Sequence, residues 1–304
     1  MSTLWSRRRF ISVVAAAAVA GKARAGGVRD TWRGRALGSD ASITVEGPSD
    51  IVAQALPRAV AALRRAERLW SLYDPDSSLS RLNAQGLLDA PDAETLALLS
   101  VADRVHAMTG GRFDPTIQPL WRTLAEGGSR EAIALARSRV GWSQVTIGAD
   151  SVRLGPGQAV TLNGIAQGAA ADLVVAALRE EGLTAALIDT GEMAGFGRSW
   201  RLGLSDPFHG LVATRQLRSG AIATSSPGAM RLGSEVHILD PTGVRPFWST
   251  VSVEAETATL ADALSTAACL MPADRLRELA ASAPEIRRIT LVGEDANIKT
   301  ISCL

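Results

Sequence analysis

Leu162-Asn163-Gly164-Ile165-Ala166-Gln167-Gly168-Ala169 is a glycine-punctuated turn that feeds a run of helical spacing through Ala171, Val174, Val175 and Leu178. A short apolar stretch, Ala185–Ile188, follows and reads as a strand. A turn of this kind offers backbone amides and carbonyls to phosphates or to a cation. Gly-x-x-x-Gly with alanines is also how a helix packs tightly on a sheet, so both readings stay open at this point.

Upstream, residues 36–46 alternate as a strand, with Ile43 and Val45 on one face and Ser42 and Thr44 on the other. Gly47-Pro48-Ser49-Asp50 breaks it and supplies N-cap candidates. A helix is expected from Ile51 to Trp70, with Leu56, Val60, Leu63 and Leu69 on its apolar side and Arg64, Arg65, Glu67 and Arg68 in water. Pro57 either kinks this helix or marks its first turn. Ser71 to Asn83 is turn-rich, and a second helix spans Ala93 to Met108 and stops at Thr109-Gly110-Gly111. Downstream, strands are expected near Arg201–Leu204, Ala221–Thr224, Val236–Leu239 and Thr250–Val253. Helices follow at Leu260–Leu270 and Ala273–Ser282. The elements lack a clean βαβ rhythm, an internal repeat or a low-complexity linker, which makes the class α+β.

The chain has 304 residues, 46% hydrophobic and 21% charged, an ordinary globular profile. Its net charge of +1 is uneven. The first 25 residues hold Arg7, Arg8, Arg9, Lys22 and Arg24 and no acid, so the remainder carries 27 bases against 31 acids. A mildly acidic body excludes the basic face that a nucleic-acid binder needs. Ser6-Arg7-Arg8-Arg9-Phe10-Ile11-Ser12 resembles a twin-arginine export signal, followed by an alanine-rich apolar segment and a small-x-small site at Ala23-Arg24-Ala25. The expectation is a signal peptide over residues 1–25, a single domain over 26–304, and a mature periplasmic protein that does not span the membrane. The two cysteines, Cys269 and Cys303, do not support the fold as disulfides, and Cys269 reads as a buried thiol.

Common catalytic signatures are absent: no Walker loop, G-x-S-x-G elbow, H-E-x-x-H or C-x-x-C. His106, His209 and His237 are scattered without ligand spacing, which argues against a three-histidine zinc site. Polar clusters sit between apolar segments instead. In Gly110-Gly111-Arg112-Phe113-Asp114-Pro115-Thr116, Asp114 is held extended by the following proline. It either faces a ligand or forms an Asx turn. His237-Ile238-Leu239-Asp240-Pro241-Thr242-Gly243 presents a histidine at the entry to a turn. In Ala261-Asp262-Ala263-Leu264-Ser265-Thr266, Asp262 and Thr266 share a helix face, and one carboxylate with one hydroxyl suits Mg²⁺. The plainer alternative has Asp262 capping the first turn and Thr266 bonding back to the backbone.

Taken in order, these clusters resemble the FAD:protein FMN transferase (ApbE) family over nearly the whole mature chain. The pieces are Leu37-Gly38-Ser39, Ser71–Asn83, Gly111–Thr116, Gly164–Gly168 with Asp172, Ala221–Ser225, His237–Pro241 and Ala261–Thr266. Leu162–Gly168, Asp189-Thr190-Gly191-Glu192 and the closing Ala261–Thr266 are further similar to the NosX branch, which is linked to nitrous oxide reductase maturation and a NosR-type flavin acceptor. The resemblance implies one domain of mixed, largely antiparallel sheet with packed helices. It also implies binding of FAD and Mg²⁺, transfer of FMN to a Thr or Ser hydroxyl of a target protein, and release of AMP. It implies that Asp262, Thr266 and the carbonyl of Gly164 ligate the metal, with His237 and Asp262 catalytic. Leu37, Tyr73, Arg112, Phe113, Asp114, Thr161, Gln167 and Leu239 fall at its FAD-contacting positions. Thr161, Gln167, Thr190-Gly191-Glu192 and Ser265 depart from the residues many members carry there. The alternatives are a non-catalytic FAD-binding maturation factor and a simple FAD pyrophosphatase.

Overall fold

The computed structural model describes residues 27–302; the expected signal peptide and Cys303 lie outside the described residues. Strands β1 (Gly27–Ala36) and β2 (Ser39–Pro48) form a hairpin joined by Leu37 and Gly38. Both joining residues have positive φ, 50° and 83°, as a two-residue I′ turn demands. Gly38 adopts this freely, whereas Leu37 is held in a region that costs an L-residue about 1–2 kcal/mol. Helix α1 (Ser49–Trp70) buries Val52, Ala55, Ala59, Leu63 and Ala66, while Pro57 lies inside it on the exposed side, not at its first turn. Leu56 and Val60 are partly buried and pack against the edge of the core, while the small alanines occupy its centre.

The chain continues through α2 (Ser78–Gln85), β3 (Leu87–Asp89), α3 (Ala93–Met108), α4 (Gln118–Ala125) and α5 (Arg130–Ser138). Helix α2 occupies part of the stretch read as turns, because Ser77 caps it through the Ser80 amide and Gly86 closes it at φ 69°. Next come β4 (Thr146–Ile147), β5 (Ser151–Arg153), α6 (Ala166–Glu180), β6 (Ala185–Asp189), β7 (Met193–Phe196), β8 (Trp200–Asp206), β9 (Gly210–Leu217) and β10 (Gly220–Ser225). The chain ends with β11 (Arg231–Leu232), β12 (Glu235–Val236), β13 (Thr250–Ala255), α7 (Ala258–Ala268), α8 (Ala273–Ser282), β14 (Ile286–Val292) and β15 (Ile298–Ser302).

The α+β class holds. The main sheet has the order β1-β2-β6-β7-β10-β13-β14-β15, with every neighbouring pair antiparallel. Its strands alternate between two cores, as the two-residue period of a strand requires. Ala186, Ile188, Ala194, Ala221 and Ala223 join the large core with α1, α6 and α7. Leu187, Met193 and Ile222 point the other way, onto Trp200, Leu202, Leu204 and Leu217 of the β8–β9 hairpin. The molecule is therefore layered as helices, sheet and hairpin. The strand expected over Val236–Leu239 is limited to Glu235–Val236. Beyond it Asp240 accepts the amides of Thr242 (2.7 Å) and Val244 (3.2 Å), and this turn chemistry overrides the alternation. Among the described residues, no helix is long and apolar enough to cross a membrane.

Candidate active site

Helices α6 and α7 cap one another. Asp172 on α6 accepts the amides of Ala258 (2.9 Å) and Thr259 (2.8 Å) and the Thr259 hydroxyl (2.6 Å). Thr257 accepts the Leu260 amide at 3.3 Å, so the free N–H groups at the start of α7 are satisfied. In return, Asp262 on α7 accepts the Gly168 amide in the first turn of α6 at 2.9 Å. The helices can approach this far because residue 168 is glycine. A Cβ there would stand 2.2 Å from the Ala258 carbonyl oxygen and 2.8 Å from the Asp262 Cβ. Tight helix packing and an exposed turn backbone are thus both true of Leu162–Ala169.

The same approach brings Gly164 onto Thr266, whose Oγ1 would lie 2.9 Å from a Cβ at Gly164. Ser225 Oγ contacts the hydroxyls of Ser265 (2.7 Å) and Thr266 (3.4 Å). Asp262 is buried, and burial pushes its carboxyl up to about 7; the Gly168 amide pulls the other way and Asp172 adds to the rise. Glu192, also buried, is raised well above the usual carboxylate range by burial and then by Asp262, although it accepts the Thr224 amide at 2.9 Å. Among the described residues, neither carboxylate has an ion-pair partner. Two buried acids without a counter-charge form a site that a cation would complete. No three His, Cys, Asp or Glu side chains among the described residues converge as a metal-ligand set. The oxygens gathered there are instead those of the Asp262 carboxylate, the Thr266 hydroxyl and the Gly164 backbone, a hard-oxygen set that would suit Mg²⁺ with water or phosphate filling the remainder.

These groups open into a cleft of about 420 Å³. Arg112, Phe113, Asp114, Thr161, Gly164, Gln167, His237, Leu239, Asp262 and Thr266 all line it. Arg112 pairs with the buried Asp240 and donates to Thr242 Oγ1 at 3.0 Å. Burial pushes Asp240 up, but its bonds to Thr242, Arg112 and backbone amides outweigh this and hold it below the usual range. Asp114 lines the cleft and also forms the Asx turn, accepting the Thr116 amide (2.8 Å), the Thr116 hydroxyl (2.5 Å) and the Trp142 amide (3.2 Å). Gln167 donates to Ser39 Oγ at 2.6 Å, fastening the β1–β2 turn to α6, and its carbonyl accepts the Thr190 hydroxyl at 2.9 Å. His237 Nδ1 lies 3.0 Å from the Pro227 carbonyl. A carbonyl only accepts, so Nδ1 carries a proton and donates it to Pro227.

Leu37 and Tyr73 do not line the cleft. Tyr73 is 67% exposed, and its ring stands beside Gly38, which does line it. His106 bonds the Phe113 carbonyl through Nδ1 at 2.8 Å and so braces the Arg112 loop. Glu192 and Ser225 also line the cleft, and neither is among the site residues expected from the sequence. A lone acid between Gly191 and the apolar Met193–Phe196 strand is the one local sign that Glu192 is special. Cys269 is fully buried, as expected, and burial raises its thiol.

Residues 37–290 match the ApbE family. The FAD:protein FMN transferase of Escherichia coli (strain K12) is 27% identical over 281 residues, 82% of this chain and 77% of that protein. That of Klebsiella pneumoniae (strain 342) is 26% identical over 280 residues, 81% and 79%. Among solved structures, the ApbE protein of Thermotoga maritima superposes with a TM-score of 0.79 at 26% identity, covering 90% of this chain and 96% of that one. The flavin transferase ApbE of Vibrio cholerae shares the fold, with a TM-score of 0.77 at 23% identity and coverage of 91% and 97%. With an unbroken family match over most of its length and a matching fold, the chain belongs to the ApbE family.

Proposed function

We propose that this protein transfers the FMN moiety of FAD to a Thr or Ser hydroxyl of a target protein and releases AMP. The observation that carries the reading is the single cleft in which His237, Asp262, Thr266, Gly164 and Arg112 meet from segments far apart in sequence. The relatives named above, described as FAD:protein FMN transferases, support it. The acceptor oxygen bonds to the flavin-side phosphorus, the bond from that phosphorus to the bridging oxygen breaks, and AMP leaves with that oxygen. His237 Nε2 takes the hydroxyl proton. Asp262, Thr266 and the Gly164 carbonyl would hold Mg²⁺, which when bound neutralises charge on the pyrophosphate. Arg112 and Gln167 orient the dinucleotide at the cleft wall, where positioning accounts for much of phosphoryl-transfer catalysis.

Incubation with FAD, Mg²⁺ and an acceptor, read by mass spectrometry, tests this. The expected result is an FMN adduct on one Thr or Ser with an equal amount of AMP. AMP and free FMN beside an unmodified acceptor would make the protein a pyrophosphatase; bound FAD without AMP would make it a binding factor. For the acceptor we propose a NosR-type protein, and for location the periplasm by twin-arginine export, on the Arg7-Arg8 pair. Changing both arginines to lysine should leave the precursor in the cytoplasm, and unchanged periplasmic recovery would overturn the route.

A further inference from the structure

The β8–β9 hairpin turns at Pro207-Phe208-His209, and Asp206 fixes the turn. Its Oδ1 accepts the amides of Phe208 (2.8 Å) and His209 (2.9 Å); its Oδ2 accepts the hydroxyls of Ser249 and Thr250, each at 2.6 Å. The tip is rigidly held, yet it presents Phe208 at 69% exposure and Leu211 at 67%. The Phe208 ring lies on Gly228, where a Cβ would meet its Cε2 at 2.6 Å. Gly228 follows Pro227, whose carbonyl orients His237. Pro207 and Ala229, the chain neighbours of the two residues in contact, line the cleft with His237, whereas Phe208 stands outside it. Leu211 pairs across the hairpin with Ser205, another cleft residue, and cross-strand partners share a face. Two large apolar side chains therefore rise on the rim next to the histidine.

We propose that Phe208 and Leu211 are the docking platform for the acceptor protein, holding an apolar side chain that flanks its Thr or Ser. The inference rests on the flavin-transfer reading. An acceptor hydroxyl within hydrogen-bond reach of His237 forces the adjoining acceptor residues across this rim. FAD occupies the interior of the cleft, which leaves the platform outside it to the polypeptide. A pre-fixed aromatic anchor suits that role, since it loses little conformational freedom on binding.

The test is steady-state FMN transfer to a NosR-type acceptor by wild type, Phe208→Ser, Leu211→Ser and Phe208→Leu, with FAD affinity followed by fluorescence quenching. Both serine variants should raise the acceptor KM roughly tenfold, the scale of losing one apolar anchor. They should leave kcat, FAD affinity and melting temperature unchanged, and Phe208→Leu should recover most of the loss. An unchanged acceptor KM overturns the platform, as does a parallel loss of FAD affinity, which would assign the patch to the flavin. A wild-type dimer that dissociates in Phe208→Ser while KM stays constant would make the patch a self-association surface and also overturn it. No transfer by wild type is a different failure, that of the flavin-transfer reading, and removes the platform with it.

Discussion

Asp262 separates two roles that one carboxylate fulfils together. One oxygen accepts the Gly168 amide, a structural bond that asparagine can also make; the negative charge is what a metal would need. Asp262→Asn should therefore fold. Because burial pushes the carboxyl up to about 7, ionised Asp262 costs stability at neutral pH without a cation. The asparagine variant should then melt no lower than wild type in metal-free buffer, yet lose at least ~10²-fold in Mg²⁺-dependent FMN transfer. Asp262→Ala should add a stability loss of about 1–3 kcal/mol from the unpaired Gly168 amide. Calorimetry and AMP release measure both arms, and a folded Asn variant with wild-type transfer would make Asp262 structural. The i, i+4 spacing of Asp262 and Thr266 was legible in sequence because it is a property of one helix. That Asp262 caps a different helix was not, and neither was Glu192, whose burial beside Asp262 arises only when β7 pairs with β10.

At the scale of elements, reciprocal capping makes α6 and α7 one unit. Asp172→Ala would strand two amides and a hydroxyl at the start of α7, a loss of about 2–4 kcal/mol by the cost of unpaired buried groups. Asp172→Asn, which keeps an acceptor oxygen, should lose less. Gly168→Ala places a methyl inside the α6–α7 contact, and α7 must shift away from Gly164 to admit it. Both Asp172→Ala and Gly168→Ala should lower the melting temperature and reduce transfer, although neither residue lines the cleft. Retention of full transfer by both would show that the site does not depend on this packing. Helices α3 and α8 match their expected limits because their turn and proline stops are local. Strands β1 and β15 escaped notice because, at the two sheet edges, they are largely exposed and show little apolar alternation. Helices α4 and α5 are hard to read for their length, eight and nine residues, and not for want of an apolar face, because so few turns give the helical period little room to repeat.

Across the whole molecule, the cleft is built by three layers, and its shape depends on the hairpin staying against the sheet. Leu187, Met193 and Ile222 attach the hairpin by apolar contact, while Asp206 ties its tip to Thr250 at the start of β13 and to the adjacent Ser249. Burial pushes the Asp206 carboxyl up, but the Ser249 and Thr250 hydroxyls and the Phe208 and His209 amides outweigh it and hold it below the usual carboxylate range. A carboxyl depressed on folding stabilises the native state above its unfolded value, near about 3.9, and that contribution is lost as pH falls through the lower folded value. The stability difference between wild type and Asp206→Asn should therefore be constant near neutrality and shrink below about pH 4. Urea unfolding across the acid range measures it, and a difference independent of pH would mean that Asp206 acts by shape and not by charge. The same variant loosens the tip that carries Phe208, so at neutral pH its acceptor KM should rise while FAD affinity stays near that of wild type. A fall in both together would mean that the hairpin shapes the flavin pocket as well as the entrance.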